Sequence, residues 1–146
     1  MAGIYIHIPF CKKKCHYCNF FSQASVKYQD VFAGILIKEL LLQKDYLEGE
    51  KIRTIYFGGG TPSLLKEGEV EKIIGNISSL HVFSSNPEIT IEVNPDDLTL
   101  AKLKKYRDQR SKPIMQIAEK DGIFLVFVIR VFRNQRLRFV SAPVVR

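Results

Sequence analysis

Three short segments with the alternating pattern of β-strands, each followed by an unusual loop and then by a helical pattern, constrain this chain more than any other feature. The strand patterns cover residues 3–8, 52–57 and 89–93. The helical patterns cover about 25–47, 64–77 and 100–107. Strands that alternate with helices predict an α/β fold with a parallel sheet and right-handed crossovers.

The first helix is predicted to bury one apolar stripe. At about 100° per residue, one face collects six apolar or aromatic side chains: Tyr28, Val31, Phe32, Ile35, Leu42 and Tyr46. Ile37 and Leu41 fall outside this stripe, so the pattern also indicates that the helix is covered on more than one side.

The loop that follows each predicted strand has an unusual composition. In chain order, we call these three loops the cysteine loop (residues 11–18), the glycine loop (58–63) and the Asn-Pro loop (94–97). Ligands of parallel α/β sheets bind beyond the carboxyl ends of the strands. All three loops are therefore predicted to lie on one functional rim.

All three cysteines of the chain fall within eight positions: Cys11, Cys15 and Cys18. Buried free thiols are the plainest interpretation, although the polar flanks of lysines 12–14 favour an exposed loop. An odd cysteine count argues against a structural disulfide. Zinc held by three thiolates and either His7 or His16 is one alternative. A cubic iron–sulfur cluster is another, because three thiolates leave its fourth iron open to a substrate or cofactor.

Three motifs, in order along the chain, resemble those of the radical S-adenosylmethionine (SAM) proteins. They are Tyr-Ile-His-Ile-Pro-Phe-Cys at 5–11 with the two further cysteines, Tyr-Phe-Gly-Gly-Gly-Thr-Pro-Ser at 56–63, and Ile-Glu-Val-Asn-Pro at 91–95. The chain is most similar to the oxygen-independent coproporphyrinogen oxidases and the haem chaperones related to them. The resemblance runs from residue 3 to about 108. It implies the first three strand–helix units of a partial (β/α)6 TIM-like barrel.

The resemblance also implies the site residues. Cys11, Cys15 and Cys18 would ligate a 4Fe–4S cluster. The SAM-binding residues would be Tyr5, Tyr17, Gly59, Gly60, Thr61 and Glu92. The alternation of the third strand turns Glu92 and Thr90 toward the barrel interior, where Glu92 would bind ribose hydroxyls. The same alternation in the first strand turns Tyr5 inward, beside the cluster. Beyond the cluster, no catalytic residue is assigned.

One position separates the two related groups. The decarboxylating oxidases carry a further cysteine two residues after the third, where this chain has Phe20. This difference favours the haem-chaperone group, which implies haem or a porphyrin, a reductant for the cluster and a haem-acceptor protein as partners. None of His7, His16 and His81 is assigned as a haem ligand. A porphyrin-forming oxidase and a zinc- or nucleic-acid-binding module remain alternatives.

The net charge of +7 is unevenly distributed. Residues 1–108 carry 14 Lys and Arg against 13 Asp and Glu, whereas residues 109–146 carry 8 against 2. We therefore expect no nucleic-acid partner, and we divide the chain into part of a radical SAM core (1–108) and an atypical basic and apolar tail (109–146). A shifted reading frame, a truncation or natural divergence would account for this tail. With only three units, the chain is expected to be inactive alone.

The sequence predicts a cytoplasmic protein. No apolar run reaches the roughly 18 residues of a membrane span. The first nine residues lack the basic flank and the small-residue cleavage site of a signal peptide.

Overall fold

The structure is a computed structural model that describes residues 1–14, 16, 18–19, 21–25, 27–94, 97, 99 and 101, and the backbones of three later strands. The strands are β1 (Ala2–Ile8), β2 (Ile52–Gly59), β3 (Phe83–Ile91), β4 (Ile114–Lys120), β5 (Ile123–Arg130) and β6 (Arg138–Ala142). The helices are α1 (Gln29–Leu42) and α2 (Glu69–Leu80), and a 3-10 turn covers Pro62–Leu64.

The strands form one sheet in the order β1-β2-β3-β4-β5-β6. The first four run parallel, whereas β5 and β6 are antiparallel to their neighbours. Ile8 pairs with Gly59, and Phe57 pairs with Ile91. The carboxyl ends of the first three strands are therefore level, as the α/β prediction requires.

The core lies between one face of this sheet and the two helices. Toward the carboxyl end of each of the first three strands, alternate residues enter it, as the alternation predicts: Ile6, Ile8, Ile55, Phe57, Ile89 and Ile91. Helix α2 supplies a buried stripe of Val70, Ile73, Ile74 and Ile77. Removal of this apolar surface from water stabilises the unit. The opposite face of these strands, which we call the inner face, carries the intervening residues.

The predicted stripe of α1 was wrong at five of its six residues. The structure exposes Val31, Ile35 and Leu42, together with Tyr28 and Tyr46 beyond the helix ends. Phe32 packs against the core as predicted, but its companions there are Ala33, Leu36 and Leu40. Apolar residues occur around the whole helix (Gln-Asp-Val-Phe-Ala-Gly-Ile-Leu-Ile-Lys-Glu-Leu-Leu-Leu), so periodicity alone could not select the face that the sheet covers.

The structure also differs from three predicted boundaries of helices and strands. Helix α1 is shorter than the predicted 25–47, because the chain turns after Leu42 and reaches positive φ at Glu48 and Gly49. The second helix begins at Glu69 rather than residue 64, because Gly68 at φ 85° separates it from the 3-10 turn. Strand β3 begins at Phe83 through an irregular stretch before its regular pairing from Glu88.

Several predicted features lie outside the described residues. They are Cys15, Tyr17, Phe20 and, apart from Ala101, the helix at 100–107. Within the part of the chain that the structure describes, no helix is long and apolar enough to span a membrane.

The glycine loop lies directly against the segment that leads into the cysteines. The Gly60 amide donates to the Ile8 carbonyl at 2.7 Å, and the Thr61 amide donates to the Phe10 carbonyl at 2.7 Å. A Cβ atom at Gly60 would lie 2.5 Å from the Phe10 carbonyl oxygen and 2.8 Å from that of Ile8. Only glycine permits this approach without a shift of the backbone.

We predict opposite effects for two glycine-to-alanine substitutions. Gly60→Ala should destabilise the chain by about 1–3 kcal/mol, because its methyl group overlaps two backbone carbonyls. Gly75→Ala should stabilise it by about 0.5–1 kcal/mol, since glycine is costly inside a helix and Gly75 in α2 has open space around it. Urea unfolding measures both, and equal changes would contradict the close approach at Gly60.

Candidate functional site

The cysteine loop is anchored at its base. The Cys11 amide donates to the Gln23 carbonyl at 3.1 Å, and the Gln23 amide donates to the Pro9 carbonyl at 2.7 Å. Cys11 and Cys18 are free, partly exposed thiols. The Thr61 hydroxyl lies 3.7 Å from the Cys11 sulfur and donates to it. Thr61 therefore contacts the cysteine loop and makes no side-chain capping bond to the turn that follows it.

Glu92 occupies the inner face of the sheet, as predicted, and is held by two donors. The Tyr56 hydroxyl donates to Oε1 at 2.6 Å, and the Gly59 amide donates to Oε2 at 3.2 Å. Each carboxylate oxygen keeps a further lone pair for an incoming donor. A ligand with hydroxyl groups is thus the kind of molecule this carboxylate can recognise.

Tyr56 is a site residue that the sequence reasoning missed. It pairs with Tyr5 in the sheet register, and the two rings stack with centroids 5.9 Å apart. Tyr56 alternates with Ile55 and Phe57, which both face the core. The alternation that placed Tyr5 on the inner face could therefore have placed Tyr56 there as well.

His7 is hydrogen-bonded through both ring nitrogens. Nε2 lies 2.8 Å from the Phe21 carbonyl oxygen, which can only accept, so this nitrogen carries the proton. In the neutral ring, Nδ1 then accepts from the Tyr5 hydroxyl at 3.2 Å. The ring also covers Gly59, where φ is 109° and a Cβ atom would lie 2.6 Å from it. His7 is thus a structural histidine with no nitrogen free for a metal or a haem.

The electrostatics of the inner face disfavour extra negative charge. Burial raises the pKa of Glu92, against the opposing effects of the Tyr56 and Gly59 hydrogen bonds and of nearby His7. Burial also raises the pKa of Tyr56, and the hydrogen bond to Glu92 adds to this. The pKa of Tyr5 is raised by burial and then by the charge of Glu92. Both tyrosines therefore stay neutral donors at physiological pH.

We predict that Glu92→Gln changes how stability depends on pH. Because the folded state raises the pKa of Glu92, the unfolded chain releases this proton first as the pH rises. The wild-type free energy of unfolding therefore falls relative to that of the variant as the pH rises from the ordinary glutamate pKa, about pH 4, through the raised pKa of the folded state. Urea unfolding across this range measures the difference. Glu88→Gln, on β3 four residues before Glu92, corrects for the loss of one carboxylate, and identical curves for the two variants would contradict the prediction.

Comparison with known proteins supports the resemblance. The model of the radical SAM superfamily matches residues 5–117. Haem chaperone HemW of Buchnera aphidicola (from Acyrthosiphon pisum) is 36% identical over 108 residues, which are 73% of this chain and 29% of that protein. HemW of Escherichia coli is 34% identical over 108 residues, 72% of this chain and 28% of that protein. The mitochondrial radical SAM domain-containing protein 1 of Danio rerio is 33% identical over 106 residues, 72% of this chain and 24% of that protein.

The fold also matches a solved structure. Coproporphyrinogen III oxidase (HemN) of Escherichia coli, a radical SAM enzyme, superposes with a TM-score of 0.70 and 25% identity over 78% of this chain and 27% of that one. The chain thus spans less than a third of the length of these relatives. Proteins of this superfamily work with SAM and a 4Fe–4S cluster. The α/β sheet, the motif order and these matches together show that the chain belongs to the radical SAM superfamily.

Proposed function

We propose that this chain carries the cluster- and SAM-binding part of a radical SAM protein of the haem-chaperone type. One observation carries the proposal: the cysteine loop, the glycine loop and Glu92 meet at one rim of the sheet. The hydrogen bonds from Gly60 and Thr61 join the first two loops. The Gly59 amide joins the glycine loop to Glu92.

The thiols present fit a cluster. Cys11 and Cys18 are free and partly exposed on the same loop, and with Cys15 they would supply three thiolate ligands. Simple electron-transfer clusters use four cysteines, so a three-cysteine set leaves one iron for a cofactor. When both are bound, the cluster and SAM together supply one-electron reductive cleavage of the SAM sulfonium. Of the two histidines considered for a zinc site, His7 offers no nitrogen, since both of its nitrogens are hydrogen-bonded, and this leaves only His16 for that alternative.

The inner face fits the polar and nucleoside parts of SAM. The Gly59 and Gly60 backbone lies at the rim, packed against the His7 ring and the carbonyls that precede the cysteine loop, and Thr61 lies beside it. Glu92 would accept hydrogen bonds from ribose hydroxyls, with Tyr56 and Gly59 fixing its orientation. Tyr5 and Tyr17 would line the cofactor, and Tyr5 is 56% exposed on this face.

Phe20 and the similarity to proteins named haem chaperones support the haem-chaperone type. It implies haem or a porphyrin as ligand, a reductant for the cluster and a haem-acceptor protein. A cytoplasmic location belongs to the same proposal, because free thiolates are kept in reducing compartments. The structural match to a coproporphyrinogen III oxidase supports a second candidate, the decarboxylating oxidase.

We expect the chain to bind a 4Fe–4S cluster through its three cysteines. After anaerobic reconstitution, iron and sulfide analysis should give about four of each per chain and a brown colour. Cys15→Ala should lose most of the iron, whereas Ser25→Ala, at an exposed position outside the cysteine loop, should retain it. A colourless zinc protein, or a Cys15→Ala variant with the iron content of the wild type, would contradict the proposed site.

The preferred porphyrin distinguishes a haem chaperone from a decarboxylating oxidase. We expect the reconstituted chain to bind haem at least about tenfold more tightly than coproporphyrin III, a difference of roughly 1.4 kcal/mol. Competition titrations followed by the haem absorption band measure this preference. The reverse preference would favour the oxidase, and binding of neither would contradict the expectation that this part of the protein holds a porphyrin, while leaving the radical SAM assignment intact.

A further inference from the structure

One buried carboxylate contacts the other two rim loops. Asp97 of the Asn-Pro loop accepts a hydrogen bond from the Ser63 hydroxyl of the glycine loop at 3.0 Å. Its other oxygen forms an ion pair with the ammonium of Lys12 in the cysteine loop. The Ser63 hydroxyl in turn accepts from the Asn94 amide at 3.1 Å. All three loops therefore meet at Asp97.

The Asp97 and Ser63 side chains are buried, so the carboxylate depends on its partners. The Asp97 side chain is only 7% exposed and Ser63 only 1%, whereas the Lys12 side chain is 60% exposed. A carboxylate so buried requires a compensating charge or several donors. Without the lysine, the Asp97 carboxylate would lose its ion pair in a poorly solvated place. The buried carboxylate therefore restrains the Lys12 ammonium.

The ion pair restrains the chain next to the first cysteine, because of where Lys12 lies in the sequence. Lys12 directly follows Cys11, whose amide and sulfur are already fixed by Gln23 and Thr61. Lys13 and Lys14 lie exposed in the same loop. The ion pair thus adds a third attachment at Cys11, from the side of the Asn-Pro loop.

We infer that Lys12 is a positioning residue, which acts through Asp97 and Ser63 to hold the Cys11 end of the cysteine loop against the other two loops. The inference rests on the proposed function for its purpose, namely placing the first cluster ligand. The placement itself is a property of the chain without its cluster, and it can be measured there.

The test is the rate at which iodoacetamide alkylates Cys11 relative to Cys18 in the reduced, cluster-free full chain, mapped by peptide mass spectrometry. Loosening of the loop should accelerate the reaction at Cys11. A purely electrostatic effect of losing one positive charge would slow the reaction of a thiolate. The two explanations therefore predict changes of opposite sign.

We expect Lys12→Met to raise the ratio of the Cys11 rate to the Cys18 rate by about threefold or more, because the loop opens locally. Lys13→Met removes the same charge one residue away and should leave the ratio unchanged or lower it. Lys12→Arg, which keeps the charge, should stay within about twofold of the wild type. Equal ratios for Lys12→Met and Lys13→Met would overturn the inference.

A second variant covers the case in which Lys12→Met does not fold because Asp97 is left unpaired. The double variant Lys12→Met/Asp97→Asn removes both charges and should again raise the Cys11 ratio. A folded double variant with the wild-type ratio overturns the inference. If the ratios change as expected but the wild-type chain holds no iron, the positioning role stands and the proposed function fails.

Discussion

The two short hydrogen bonds from the Gly60 and Thr61 amides to the Ile8 and Phe10 carbonyls are the constraint on which the site depends. They join two crossovers of the sheet at the level where β1 and β2 end. Because the contact is made by backbone atoms, it requires a residue without a Cβ atom and a level register between the two strands. The position of Cys11, one residue beyond Phe10, follows from it.

The two faces of the sheet serve different purposes. On β1, β2 and β3, the face toward the helices is lined by aliphatic and aromatic side chains, and its burial against α1 and α2 stabilises the unit. The other face carries Tyr5, His7, Tyr56 and Glu92, whose polar atoms bond to one another or to the backbone. Such a polar surface adds little to folding but presents donors and acceptors in fixed places. Since successive residues of one strand point to opposite faces, the same short segments supply both.

The sequence was sufficient for the features that depend on local pattern. Strict alternation in β1 placed Ile6 and Ile8 in the core and Tyr5 on the inner face, because a strand offers only two sides. A helix with apolar residues all round offers no such choice, so the covered face of α1 depended on the sheet, and the predicted stripe failed at Ile35. The Lys12–Asp97 pair joins residues 85 positions apart, and no local pattern could have indicated it. The cofactor roles came from the motif order and remain proposals.

The hydrogen bonds that already hold Glu92 have a consequence for any ligand it meets. A free glutamate side chain loses rotational freedom when it is fixed by a partner, at a cost of up to roughly 2 kcal/mol. Here Tyr56 and Gly59 have restricted both oxygens before a ligand arrives. The entropy is lost once, during folding, and is compensated by the stability of the core. A hydroxyl-bearing ligand would therefore bind to a preorganised acceptor, and more of its hydrogen-bond energy would appear as affinity.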